Sequence, residues 1–285
     1  MYKSAVCITA RMEEAYIQEC ILHNYIVGFD KMIIVLHQLS ANDNDRTHEK
    51  ILQLPDNVLE KVVVETITTD CLYGYQPDAY HKIYDEWKDK VEWLAMFDVD
   101  ECLYDSKRRS VNELLSGIPD HAGQVLIPWL NFGHSGRVLS ATPQETRYTA
   151  FTKCEGYANV NAQIKPIVRT KDIITDSRWY WTHFASTKGA AVDVSGNVLL
   201  DGQITGEEQF YRDIRKNFTN FDTCLVHYFT GAMEDWVIRY KRRKNHVYYG
   251  EHSVNMFMEN TYEIEDTRMS IYLDGLKGLL EKCKN

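Results

Sequence analysis

The sequence is short of the residues that break, cross-link or anchor a chain. Six prolines and fifteen glycines in 285 residues leave no linker-like or low-complexity tract, and no internal repeat is visible. The seven cysteines, at positions 7, 20, 71, 102, 154, 224 and 283, are odd in number and contain no C-x-x-C pair. That spacing argues against a disulfide framework and against a structural zinc site. Several of them sit in apolar runs and read as small buried hydrophobes. No apolar run approaches the roughly 18 residues needed to span a bilayer. The run behind Met1 turns charged at Arg11-Met12-Glu13-Glu14, too soon for a secretory signal peptide. A cytoplasmic chain is expected, with at most peripheral contact at the inner face of the membrane. Positive charge is also scarce: 32 Lys and Arg against 41 Asp and Glu give a net charge of −9, a poor balance for general nucleic-acid binding.

What is present is ordinary globular material: 44% hydrophobic, 26% charged and 12% aromatic residues. That suffices for one large domain or two closely joined halves with a sizeable core. Residues 4–9 form a short apolar, β-rich run, and from Glu14 to Val27 apolar residues recur at helical spacing, with Gly28 placed as a C-terminal cap. A second apolar strand covers 31–37, turn chemistry covers 40–45, a helix is expected at about 48–53, and a third strand at 58–67. This alternation predicts a parallel sheet covered on both faces. A helix over 76–90 then leads into the buried strand 92–97, which ends in Asp98-Val99-Asp100-Glu101. Further on, strands are expected at 124–130, 147–151 and 223–229, and helices at about 207–217, 232–244 and 265–283.

The acidic cluster carries the strongest chemical signal. On an extended segment residues i and i+2 point the same way, so Asp98 and Asp100 can converge. Open α/β sheets bind ligands at the carboxyl ends of their strands, which is where the cluster falls. Hard carboxylates there suit Mn²⁺ or Mg²⁺ completed by diphosphate oxygens, and three clustered acids repel one another unless a cation is present. The bland alternative is a set of solvated loop carboxylates. One basic stretch, Arg239 with Lys241, Arg242, Arg243 and Lys244, is either a solvated helix face or a phosphate-holding patch.

Trp93 to Glu101, read W-L-A-M-F-D-V-D-E, resembles the W-x-x-F-x-D-x-D-E signature of family 92-like and family 2-like glycosyltransferases. Other stretches are similar to that family in the same order. They are Arg11-Met12-Glu13-Glu14 with Glu19, His23 and Gly28-Phe29-Asp30; Trp129-Leu130-Asn131-Phe132-Gly133-His134-Ser135-Gly136; Arg147-Tyr148-Thr149; Lys165 to Arg169; Trp181 to Phe184; His227-Tyr228; and Glu234-Asp235-Trp236 with Lys241 and Arg243. Three places depart from the pattern: Met12 stands for the usual Asn, Thr230-Gly231 for Lys-Ser, and Asn245 lies near the final Gly.

The resemblance implies a GT-A type fold, a Rossmann-like mixed α/β sheet flanked by helices in a single domain over 1–285. About 1–105 would bind the nucleotide sugar and about 106–230 the acceptor, followed by a helical segment over about 231–285. It implies an inverting transferase acting on a nucleotide sugar, with a UDP-hexose as the expected donor. The expected acceptor is a glycan or glycolipid such as a bacterial surface polysaccharide or lipooligosaccharide. Donor contacts fall to Arg11, Glu13, Asp43, Gln76, Tyr80, Asp98, Val99, Lys241 and Arg243. The bland readings are helix-start charges for Arg11 and Glu13, a turn residue for Asp43, and core packing for Tyr80. Trp129, Phe132, Gly133, His134 and Gly136 are candidates for contact with a sugar, because an aromatic face suits a hexose and glycine allows close backbone approach. Metal ligands would be Asp98, Asp100 and a histidine, His227 or His183. Glu145, Asp176, Glu234 and Asp235 are candidates for the base that deprotonates the acceptor hydroxyl. A sugar-nucleotide nucleotidyltransferase is the rival enzyme class, but residues 7–14 lack the glycine-rich loop it uses. A non-catalytic carbohydrate-binding protein is the other rival.

Overall fold

The computed structural model describes residues 1–39, 44–70, 75–142, 145–156, 163–174, 180–181, 183–201, 218, 221–242, 255, 257–259 and 262–284. The strands are β1 (Tyr2–Ala10), β2 (Lys31–Gln38), β3 (Val62–Thr68), β4 (Val91–Asp98), β5 (Glu101–Asp105), β6 (Ala122–Phe132), β7 (Lys153–Cys154), β8 (Ile164–Arg169), β9 (Tyr180–Trp181), β10 (Phe184–Ala185), β11 (Ala190–Val192), β12 (Val198–Leu200), β13 (Thr223–Tyr228) and β14 (Ile264–Glu265). The helices are α1 (Ile17–Ile26), α2 (Thr47–Leu52), α3 (Asp56–Leu59), α4 (Tyr75–Trp87), α5 (Val111–Ser116), α6 (Thr146–Ala150), α7 (Met233–Arg242) and α8 (Leu273–Leu280).

The main sheet runs β12-β11-β6-β8-β4-β1-β2-β3. Its β4-β1-β2-β3 portion is parallel, while β8 joins β4 and β6 antiparallel. Strand β6 is long enough to pair with β11 and β7 as well as with two further neighbours. Gln124–Pro128 pairs with β8, and Trp129–Phe132 pairs with β13, which in turn carries β5. Alternate residues of the central strands pack on opposite faces. Val6, Ile8, Ala95 and Phe97 meet Ile17 and Ile21 of α1, whereas Ala5, Cys7, Leu94 and Met96 meet Tyr80 and Ile83 of α4. Burial on both faces explains why β1, β2 and β4 read as continuous apolar runs. Gly28 has φ +89, and a Cβ there would lie 3.0 Å from the Ser110 Cβ, so both the backbone turn and the packing of α5 demand glycine.

Three expectations need correction. Val58 and Leu59 belong to α3, not to the third strand, because Pro55 directly ahead favours the start of a helix. Residues 147–151 are not a strand: Thr146–Ala150 is helical. Arg147 and Tyr148 both bond to α1, at Glu19 and His23, and consecutive residues of a strand would point to opposite faces. The C-terminal helix covers only Leu273–Leu280, preceded by the 3-10 turn Arg268–Tyr272 and by Ile264–Glu265 paired with β7. The helix expected over 207–217 lies outside the described residues. The six described cysteines are free, and no described helix is long and apolar enough to cross a membrane.

Candidate functional site

Strands β4 and β2 flank β1 on opposite sides, and ligands of open α/β sheets enter at the carboxyl ends beside such a switch point. Thr9 and Asp98 are register partners at that edge. Gln76, in the first turn of α4, spans them: its Nε2 donates to Thr9 Oγ1 at 2.9 Å and to Asp98 Oδ1 at 3.0 Å. The other carboxylate oxygen of Asp98 accepts from Lys165 Nζ at 2.8 Å. Lys165 arrives from β8, which lies antiparallel beside β4, and its side chain is completely buried. Burial works against its charge, but Asp98 and Glu101 prevail and raise its pKa above the ordinary lysine value. Glu101 Oε1 is 3.6 Å from the same ammonium, and its Oε2 accepts the Asp98 N–H at 2.8 Å. Burial drives the Glu101 carboxyl well above the usual range, with Lys165 opposing.

Asp100 has a different set of neighbours. Its Oδ2 accepts from Arg239 on α7 at 2.6 Å, and its Oδ1 faces His227 Nε2 at 3.7 Å. Arg239 also donates to the Phe229 carbonyl. Burial would raise the Asp100 carboxyl, but the Arg239 guanidinium and then His227 bring it down to about 2. Burial lowers His227 to about 4 against the pull of Asp100, so the imidazole is neutral at ordinary pH. His227 Nδ1 lies 2.8 Å from Asn131 Oδ1. The Trp129 ring lies over the imidazole with centroids 4.1 Å apart.

Beneath the acidic turn is a buried frame. Arg147 pairs with Glu19 of α1 and donates through NH1 to the Val99 carbonyl at 2.9 Å. His23, one helical turn after Glu19, meets the Leu103 carbonyl at 2.9 Å and the Tyr148 hydroxyl at 2.5 Å. Turn and strand are thus held from one face of α1.

Asp98, Asp100, Gln76, His227, Trp129 and the Val99 backbone therefore come together. The site also takes in Lys165, Arg239 and Asn131, which were not singled out for it; a lysine inside the apolar run Ile164–Val168 was the available signal for one of them. Arg11 and Glu13 lie at the start of the β1–α1 connection, where Met12 N bonds Asp45 at 2.8 Å and Glu13 N bonds Thr47 at 2.8 Å. Burial works against the charge of Arg239, but Asp100 and then Glu13 raise its pKa. Tyr80 is fully buried in the α4 core. Asp43, Asp176 and Arg243 lie outside the described residues, and of Lys241 only the backbone, within α7, is described.

Phe132 is core: it is 1% exposed and packs against Tyr228. Gly133 N bonds the Lys153 carbonyl at 3.0 Å, extending the strand. His134 stacks on Phe257 and accepts from Gly136 N at 3.0 Å, and Gly136 has φ +73. Phe132 and Gly133 thus belong to the strand and its extension, and His134 and Gly136 to the turn that follows, leaving Trp129 as the aromatic at the site. His183 bonds the Ile164 carbonyl at 3.0 Å and meets Trp129 edge-on, and burial lowers it to about 4. The described base candidates are occupied. Glu145 is forked to Arg137 at 3.2 and 2.8 Å, and bonds from Thr142 and Arg137 hold its carboxyl low. Glu234 accepts from Ser140 N at 3.0 Å and is held low by that bond. Asp235 accepts from Tyr16, Ser140 and Ala232 at 2.8, 2.6 and 2.8 Å. Carboxylates so engaged are poorly placed to take a proton from an acceptor.

Among the described residues no group of three or more His, Cys, Asp or Glu side chains is arranged to hold a metal ion. The expected ligand Asp98 already gives one oxygen to Lys165 and the other to Gln76. Asp100 Oδ1 and His227 Nε2, an anionic oxygen and a neutral imidazole nitrogen, face each other at 3.7 Å.

No family model matches the chain, and no curated protein matches it. Among solved structures the chain is similar to glucosyl-3-phosphoglycerate synthase from Mycobacterium tuberculosis in complex with phosphoglyceric acid. Identity is 10%, coverage 76% of this chain and 77% of that one, and the TM-score 0.30. It is also similar to an active-site mutant of LgtC, with 10% identity, coverage of 90% and 94%, and a TM-score of 0.33.

Proposed function

We propose that this chain is a glycosyltransferase of GT-A type that moves a hexose from a UDP-sugar to a hydroxyl of a glycan or glycolipid. The observation that carries this reading is the facing pair of Asp100 Oδ1 and His227 Nε2 at the carboxyl edge of the sheet, beside the Asp98–Lys165 pair. Asp100 and His227 would hold Mn²⁺ or Mg²⁺. When bound, the ion supplies Lewis-acid charge for a departing diphosphate. Arg239, on Asp100, adds fixed positive charge beside the same place, of the kind that binds phosphate. Gln76 and Asp98 mark the crevice between β1 and β4 as the nucleoside side of the site. Trp129 offers the aromatic face for the hexose. Inversion is carried over from the resembled families. Gln76, Asp98 and Asp100 all come from the N-terminal half, which would bind the nucleotide.

Incubation with a panel of nucleotide sugars and Mn²⁺, followed by assay of free nucleoside diphosphate, tests the proposal. Slow consumption of one UDP-hexose, abolished by EDTA, is expected. Release of sugar 1-phosphate from that donor with pyrophosphate would instead show a nucleotidyltransferase. Failure to bind or consume any nucleotide sugar would leave a carbohydrate-binding protein.

A further inference from the structure

We infer that Asn131 is a positioning residue: it holds His227 in the tautomer whose Nε2 lone pair faces Asp100. The consequence for metal binding rests on the reading above, whereas the tautomer does not.

The argument begins with Glu155. Its carboxylate oxygens lie 3.2 Å from Asn131 N and 3.1 Å from Asn131 Nδ2, and the Tyr262 side chain bonds the same carboxylate. Backbone bonds tie the two segments as well, since Glu155 N donates to the Asn131 carbonyl at 3.0 Å. A carboxylate facing donors on each side can only accept, so the NH₂ end of the Asn131 amide must point to Glu155. Its carbonyl oxygen Oδ1 is then the end that meets His227 Nδ1 at 2.8 Å. A carbonyl oxygen cannot donate, so Nδ1 carries the imidazole proton. In a neutral ring Nε2 is left as a bare acceptor. It faces another acceptor, Asp100 Oδ1, at 3.7 Å, beyond hydrogen-bond length. Trp129 and Phe229 confine the ring from its sides, with centroids 4.1 and 5.4 Å away.

The opposite tautomer would put a proton on Nε2 and let it donate to Asp100, closing the gap with a hydrogen bond. Asn131 therefore decides whether the Asp100–His227 pair is a hydrogen bond or a cation site. A ligating histidine commonly has its second nitrogen fixed in this way. Asn131 lies two residues from Trp129 on β6 and so shares its face. Strand β13 pairs with this part of β6 and sets His227 in register opposite Asn131.

Two-bond ¹H–¹⁵N correlation spectra of ¹⁵N-histidine-labelled, metal-free protein test this directly, with the His227 signals assigned by their loss in His227→Gln. The wild type should show the Nδ1–H tautomer. Asn131→Leu should lose that preference, and the double variant Asn131→Asp with Glu155→Gln, in which the aspartate still accepts at Nδ1 and the glutamine amide can donate to it, should restore it. Glu155→Gln, which lets the Asn131 amide turn over without opening a cavity, should shift the tautomer toward Nε2–H and serves if Asn131→Leu does not fold. Titration with Mn²⁺ alone should show affinity about ten- to a hundredfold lower in Asn131→Leu and near wild type in the Asn131→Asp, Glu155→Gln double variant. An Nε2–H signal in the wild type, or an unchanged Nδ1–H signal in folded Asn131→Leu and in Glu155→Gln, would overturn the inference. A wild type that shows Nδ1–H but takes up no Mn²⁺ would uphold it while removing the metal from the proposed function.

Discussion

Arg147 and Glu19 form a buried ion pair, with 2.8 Å between Nε and Oε1 and side chains only 2% and 7% exposed. The same guanidinium donates to the carbonyl of Val99, the residue between Asp98 and Asp100. Two charges of the sequence pattern thus hold the acidic turn from below. Removing one partner of such a pair leaves a buried uncompensated charge, at a cost of about 3–5 kcal/mol. Arg147→Met should lower urea-unfolding stability by about that amount. Arg147→Lys keeps the charge but loses the forked geometry, so it should retain more stability while weakening nucleotide binding. An Arg147→Met protein as stable as the wild type would show that the pair contributes no net stability.

The two aspartates of the turn should behave differently. Asp98 is satisfied by Lys165 and Gln76, and Asp100 faces His227. Calorimetry with Mn²⁺ and UDP should therefore show metal binding lost in Asp100→Asn. In Asp98→Asn it should be retained, with UDP held more weakly. Equal loss of Mn²⁺ in both variants would mean that Asp98 leaves Lys165 to join the metal.

Stability should fall as the solution is acidified below neutrality. Burial lowers His23 to about 3, and His183 and His227 to about 4, from the ordinary value of 6.5. As pH drops through about 6.5 the unfolded chain takes up protons that the folded chain refuses. Stability is then fully present above that value and is lost toward about 4. Glu101, raised by burial, works in the opposite sense. The three histidines together set an upper limit of roughly 4 kcal/mol per pH unit to the loss between about pH 6 and 5, which Glu101 reduces. Urea-unfolding free energies measured across that interval check the slope. A flat profile would mean that these histidines are not kept neutral by the fold.

Met12 has φ +52, a left-handed conformation that costs a side chain with a full Cβ about 1–2 kcal/mol and that asparagine tolerates better. Its N–H is bound to Asp45 at 2.8 Å, so the backbone cannot relax without losing that bond. Met12→Asn should raise stability by about 0.5–1 kcal/mol and leave donor binding unchanged. A lower urea midpoint would show that the Met12 side chain contributes packing worth more than the strain.

The sequence by itself determined the sheet, the helices on its two faces and the place of the acidic cluster. Strands β1, β2 and β4 are buried on both faces, and that burial writes an uninterrupted apolar run that a polar turn must end. Gly28 was legible for a similar reason, because a positive φ admits few residues. Only the tertiary structure decided which charges meet. Lys165 reaches Asp98 across 67 positions, Arg239 reaches Asp100 across 139, and Asn131 reaches His227 across 96. None of these pairs leaves a local pattern, since each depends on β8 lying antiparallel to β4 and on β13 pairing with the end of β6. Residues 146–150 show the same limit at short range. Their β-like composition yields to two bonds with α1, because Glu19 and His23 stand one helical turn apart and require Arg147 and Tyr148 on one side.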